Sequence, residues 1–165
     1  MKKMMMGWVV ITLAVTAVLA APSNGQSQSS RGTQRAAELE SEASALHDQP
    51  QQWAYAADLY LAAVQLREDE DPQAQEDLLL AANLCYEAGE TARAIAALEA
   101  AGSRALASGD FVRAADMFTD AAWVAQKEGL KTDQRRLTSQ VTGLANSPEV
   151  TSAERREILS RFAGH

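Results

Sequence analysis

The chain has 165 residues, 47% of them hydrophobic and 5% aromatic, enough for one domain with a core and too apolar for wholesale disorder. Alanine supplies about a fifth of the residues, which favours helices over strands because alanine loses no side-chain entropy in a helix. Lys+Arg number 15 against 22 Asp+Glu, a net charge of −7 with no basic cluster to reverse it, and this excludes nucleic acid and anionic membrane surfaces as expected partners.

Residues 1–20 have the three parts of a secretory signal peptide: Lys2 and Lys3, an apolar stretch from Trp8 to Leu19, and small residues at Val18 and Ala20 for cleavage after Ala20. The apolar stretch is shorter than the roughly 20 residues a spanning helix needs, so no stable membrane anchor is expected after cleavage. No cysteine follows it to carry a lipid. The expected location is periplasmic or secreted, in a bacterium. The polar run from Ala21 to Gln34 has no apolar periodicity and reads as a flexible linker.

Helix signals then follow at intervals of about 20 residues. Ala36, Leu39, Ala43 and Leu46 make the stripe of a first helix. Pro50 interrupts, and Trp53, Ala56, Ala57, Tyr60, Ala63 and Val64 mark a second. Asp71-Pro72 starts a third, with Asp as N-cap and Pro in the first turn, and Gly89 stops it. The fourth carries Ala94, Ile95, Leu98, Ala101 and Ala105. Its internal Gly102 predicts close helix contact. Gly109 ends that helix and Asp110 caps the fifth, which runs from Phe111 to Gly129. Leu137, Val141 and Leu144 lie on a sixth. The last helix opens on a capping box, Thr151 and Glu154, with Ile158, Leu159 and Phe162 expected to pack inward. No segment shows strand alternation or a hairpin turn, and connections this short make sequence neighbours pack antiparallel.

One phrase recurs. Trp53, Ala57, Tyr60 and Ala63 fall on Phe111, Ala115, Phe118 and Ala121, and a fainter copy starts at Thr91. Spacings of three and four put these residues on one helical stripe, small residues for close approach and large ones to fill the seam. Trp53, Tyr60, Phe111 and Phe118 are therefore expected in the core. The grammar, with Tyr86, Gly89, Ala94 and Ile95, resembles the second helix of a tetratricopeptide repeat (TPR) over roughly residues 51–128. The copies at Trp53 and Phe111 stand 58 residues apart, against about 34 for the regular unit, so the repeats are irregular. The expected fold is all-α: antiparallel helix hairpins stacked as a short TPR-like α-solenoid over residues 35–165. An alanine-rich helical bundle is the alternative.

The resemblance implies a non-catalytic interaction module that binds a protein or peptide on the face lined by the first helix of each pair. On the third helix that face carries Leu79, Asn83 and Tyr86, a carboxamide for a peptide backbone and an aromatic anchor. Packing against the next helix would use the same residues. The alternative function is a self-associating structural protein of the cell envelope. No phosphate loop, nucleophile motif or metal-ligand spacing appears, so neither enzyme chemistry nor a cofactor nor a metal is expected. The acidic run Glu68 to Asp71 lacks calcium-loop spacing and reads as a solvated connection. Cys85, the single cysteine, falls on the apolar stripe of the third helix and reads as a small buried hydrophobe.

Overall fold

The computed structural model describes residues 24–68 and 71–164. Seven α-helices follow one another among them: α1 (Asn24–Ser44), α2 (Trp53–Gln65), α3 (Pro72–Glu87), α4 (Thr91–Ala107), α5 (Phe111–Lys127), α6 (Lys131–Ala145) and α7 (Ser152–Phe162), with a single 3-10 turn, Pro50–Gln52, before α2. Each helix from α1 to α6 packs on its sequence neighbours, and α7 packs on both α5 and α6. The fold is an all-α helical solenoid.

Three connections are the same turn repeated. Gly89, Gly109 and Gly129 have φ of 77°, 78° and 71°, a left-handed conformation that glycine alone adopts at little cost. Around each glycine the amide after it returns to a carbonyl five residues back: Glu90 to Cys85, Asp110 to Ala105 and Leu130 to Ala125. The structural unit is thus one helix plus one glycine turn, 20 residues long. That unit explains why the alanine–aromatic phrase recurs three helices apart rather than at a hairpin period. Helix starts are equally local. Asp71 accepts from the amide of Gln73, Asp110 from that of Arg113, and Thr151 and Glu154 form the complete capping box.

Alternate helices are pinned by surface ion pairs. Arg93 of α4 reaches Asp58 of α2, Arg113 of α5 reaches Glu76 of α3, Arg136 of α6 reaches Glu99 of α4, and Arg161 of α7 reaches Asp116 of α5. The chain therefore forms two rows, with α3, α5 and α7 on one side and α2, α4 and α6 on the other. Exposed pairs of this kind are worth little individually, and their regularity records which helices lie side by side.

The core divides in two. One cluster joins α1, α2 and α3, with Ala94 of α4, around Leu59, Tyr60, Leu84 and Cys85, while the other runs from Val64 of α2 to α7 around Leu78, Ile95, Leu98, Phe118, Leu137, Val141 and Ile158. At Gly102 the predicted close contact is present: a Cβ there would stand 2.7 Å from Cε1 of Phe118. Tyr60 and Phe118 are buried as expected, whereas Trp53 and Phe111 are half-buried. Each is the first residue of its helix. Leu159 is a second correction, at 46% exposed: Ile158 and Phe162, four residues apart, set the buried stripe, and Leu159 points off it.

Of the linker expected over residues 21–34, residues 21–23 lie outside the described residues, and from Asn24 onward the chain is helical in α1. Between Ser29 and Gly32 it meets the α2–α3 connection by a close backbone approach and a side-chain hydrogen bond. A Cβ at Gly32 would lie 2.9 Å from the carbonyl oxygen of Leu66, and Ser29 donates to Glu68 at 2.6 Å. Such a contact leaves no hydrophobic period to read. The predicted signal peptide and its cleavage site lie outside the described residues. Among those described, no helix is long and apolar enough to cross a membrane.

Candidate functional site: a trough between α3 and α5

The three residues predicted from the α3 pattern stand together. Leu79, Asn83 and Tyr86 form one wall of a trough of about 400 Å³. Leu98 of α4 lies at its floor, and Met117, Asp120, Trp123 and Val124 of α5 form the opposite wall. Leu79 and Tyr86 are half-buried against the larger core cluster, so packing and lining are two aspects of the same positions. Asn83 is exposed, and its carboxamide has no partner among the described residues.

Tyr86 and Trp123 face each other across the trough with ring centroids 6.1 Å apart and planes tilted by 54°. Lys127 places its ammonium 5.2 Å from the Trp123 ring, a cation–π contact that steadies the indole. Trp123 itself is 37% exposed, high for the largest apolar side chain. A second hollow continues the trough past Met117 and Asp120 to Asp116, Ser160 and Arg161.

Sequence reasoning missed the α5 wall. Its signal was an aromatic off the buried stripe: Asp116, Asp120, Trp123 and Lys127 step by four, three and four, which is one exposed line on a helix. The α2–α4 side also carries a hollow, about 420 Å³, over Leu61, Val64, Leu78 and Ala97. Its rim is built into the fold: Arg93 holds Asp58 and Glu90, and Arg104 donates to the carbonyl of Glu68 at 2.7 Å.

Chemically reactive groups are placed for structure. Cys85 is fully buried, and burial pushes its thiol up. His47 lies in the α1–α2 connection, its Nε2 3.1 Å from the Tyr60 hydroxyl while its carbonyl accepts from the Trp53 indole at 2.9 Å. Among the described residues no three His, Cys, Asp or Glu side chains are placed to hold a metal. The densest charge is a buried cluster at the α2–α3 connection. There Arg67, its side chain 6% exposed, binds Glu40 of α1, Asp71 at 2.7 Å and Asp77 at 3.2 Å. Burial pushes the Asp77 carboxyl up to about 6, the adjacent Glu40 adding to the rise. Burial also opposes ionisation of Asp71, but hydrogen bonds from Arg67 and the Gln73 amide outweigh it and hold that carboxyl low.

The two-row helical solenoid thus carries an apolar, aromatic-edged trough between α3 and α5. The family model for soluble NSF attachment protein, SNAP, matches residues 20–137, a stretch that includes both walls of the trough. The chain belongs to the SNAP family. No curated protein and no solved structure matches it significantly. SNAP membership makes the chain a TPR-like helical repeat protein of a non-enzymatic, protein-binding adaptor family. Helix α7 and the last turns of α6 lie beyond the matched SNAP stretch.

Proposed function

We infer that the chain is an exported, non-catalytic adaptor that docks a protein partner in the trough between α3 and α5. The observation carrying this reading is the Tyr86–Trp123 pair, two aromatics held open over an apolar floor beside a carboxamide with no partner among the described residues. Aromatics at the centre of a hollow supply most of the energy of such contacts. A photo-crosslinking residue placed at Asn83 should capture a partner in cells, while one at Ala100, on the α2–α4 side, should not. Capture at both positions or at neither overturns the docking assignment.

Export rests on the Lys2, Lys3, Trp8–Leu19 and Ala20 pattern. Mass spectrometry of the protein recovered from cells should find Ala21 at its amino terminus, and retention of Met1 would remove export from the proposal. Self-association through α7 has exposed Leu159 in its favour. Light scattering separates the readings, because a monomer at high concentration excludes it.

A further inference from the structure

We propose that Glu40 of α1 and Asp77 of α3 share one proton, and that this proton latches α1 onto the rest of the solenoid. The latch stands apart from the trough and from whatever docks there. Two carboxyls converge on a single donor: Nε of Arg67 lies 3.0 Å from Oε1 of Glu40 and 3.2 Å from Oδ2 of Asp77. One N–H cannot be well aligned to two oxygens at once. Nη1 of Arg67 turns to Asp71 at 2.7 Å and Nη2 to Glu40, while the other oxygen of Asp77 accepts from the Gln73 carboxamide at a long 3.3 Å. The two carboxyls are also within hydrogen-bonding reach of each other. A proton between them supplies the hydrogen that the shared N–H does not, and joins α1 directly to α3. Without it, like charges face each other from two helices, and the Asp77 side chain is inaccessible to solvent. Two carboxylates sharing a site do not both ionise readily.

The surrounding groups are accounted for in other ways. Tyr60 of α2, its pKa raised by burial and by both carboxylates, stays neutral. Asp71 of the α2–α3 connection is held low and stays ionised, and Arg104 of α4 acts on it while donating to the carbonyl of Glu68. His47 lies one hydroxyl further out, 3.1 Å from that of Tyr60. Burial, with Glu40 adding to it, places the Asp77 carboxyl at about 6, so the proton is held at pH 5 and gone by pH 7.5. The docked state binds that proton more tightly than an undocked one, and docking of α1 therefore strengthens as pH falls through this range. Helix α1 is the element such a proton can move. It packs chiefly on α2, and among its described side chains only Ala36, Leu39 and Ala43 are buried. An element with so few buried contacts opens before the rest of the fold. Losing the proton loosens α1 from the cluster that it completes around Leu59 and Tyr60.

Amide hydrogen exchange on the purified protein, each rate divided by its intrinsic value at that pH, tests the latch. Amides from Ala36 to Ser44 should be protected about tenfold more at pH 5 than at pH 7.5, the ratio expected when a carboxyl pKa near 6 falls to its ordinary value on opening. Their exchange should depend on urea less steeply than that of the α5 amides, because α1 leaves without unfolding the rest. Glu40→Gln and Asp77→Asn should each reduce the pH step to less than about twofold, since neither variant keeps two carboxyls to share a proton. Glu40 is partly exposed, and its variant carries the test alone if Asp77→Asn does not fold. Equal protection and equal urea slopes in α1 and α5 overturn the latch, because α1 then leaves only with the whole fold. A shallow α1 opening without a pH step overturns the shared proton. A step that survives Glu40→Gln belongs to another group such as His47, and the Glu40–Asp77 pair falls with it.

Discussion

The junction of α1, α2 and α3 closes around a buried guanidinium, Arg67, shared by Glu40, Asp71 and Asp77. From α3 to α6 the chain instead closes by repeating one glycine turn at residues 89, 109 and 129. The first device is specific and depends on all its members, because removing one leaves charge stranded away from water. The second is modular, each turn satisfying its own helix end and asking nothing of the next. The trough sits on the modular part, where helix spacing is set by alanines and one glycine, and its walls stand on helices whose ends are fixed locally.

Breaking the ionic junction should have the largest effect. Arg67→Ala strands Asp77, whose side chain is inaccessible to solvent, and should cost about 3 kcal/mol or more in urea unfolding. Arg113→Ala, which removes an exposed pair with Glu76, should cost less than about 1 kcal/mol. Similar losses at the two sites would erase the distinction between the junctions. Next in size is Gly102→Val. Overpacking against Phe118 should cost about 1–3 kcal/mol, and adding Phe118→Leu should return part of it, with a smaller shift if the helices part easily.

The modular part predicts opposite signs for one chemical change. Gly109→Ala forces an L-residue to φ near 78°, costing about 1 kcal/mol. Gly143→Ala, inside α6 with nothing within 4 Å of the new Cβ, should gain about 0.5–1 kcal/mol from helix propensity. Thermal melts of the two variants should move in opposite directions.

These devices differ in how far the chain announces them. Glycine stops, the Asp71-Pro72 start and the Thr151–Glu154 box act within a few residues, so local pattern carries them, and with them the all-α solenoid. The α3 wall was readable because Leu79, Asn83 and Tyr86 form the line of α3 next to Leu78, Ala82 and Cys85, although Ala82 also lines the trough. The α5 wall and the Arg67 cluster were not, because both depend on which helices meet. Arg67 and Asp71 look like members of a solvated acidic loop until α1 brings Glu40 to them. Asp77 looks like an exposed helix residue until α1 and α2 cover it. The early turns of α1 stayed hidden because the Gly32 contact with the Leu66 carbonyl involves no apolar side chain.

The ionic junction also gives the fold an unusual response to acid. Asp77 has its folded pKa raised from 3.8 to about 6, so the native state holds its proton more tightly than the unfolded chain does. Between those two values the native state binds more protons, and stability from this group falls as pH rises. Above about pH 6 the ionised carboxylate, crowded by Glu40, is a net cost that Arg67 offsets in part. Asp71 runs the other way, its lowered pKa contributing stability that is lost only on acidification below its unfolded value. Acidifying from pH 7.5 to pH 5 should therefore stabilise the protein through Asp77, by an amount on the order of 1 kcal/mol once screening by Arg67 is counted. Asp77→Asn keeps an oxygen for Arg67 but cannot titrate. Subtracting its urea midpoints from those of the parent at each pH isolates the Asp77 contribution. The difference should favour the parent at pH 5 and shrink or reverse by pH 7.5. A difference that is flat across this range would mean that Arg67 fully neutralises Asp77, and the junction would then be a balanced ion pair rather than one carrying excess negative charge.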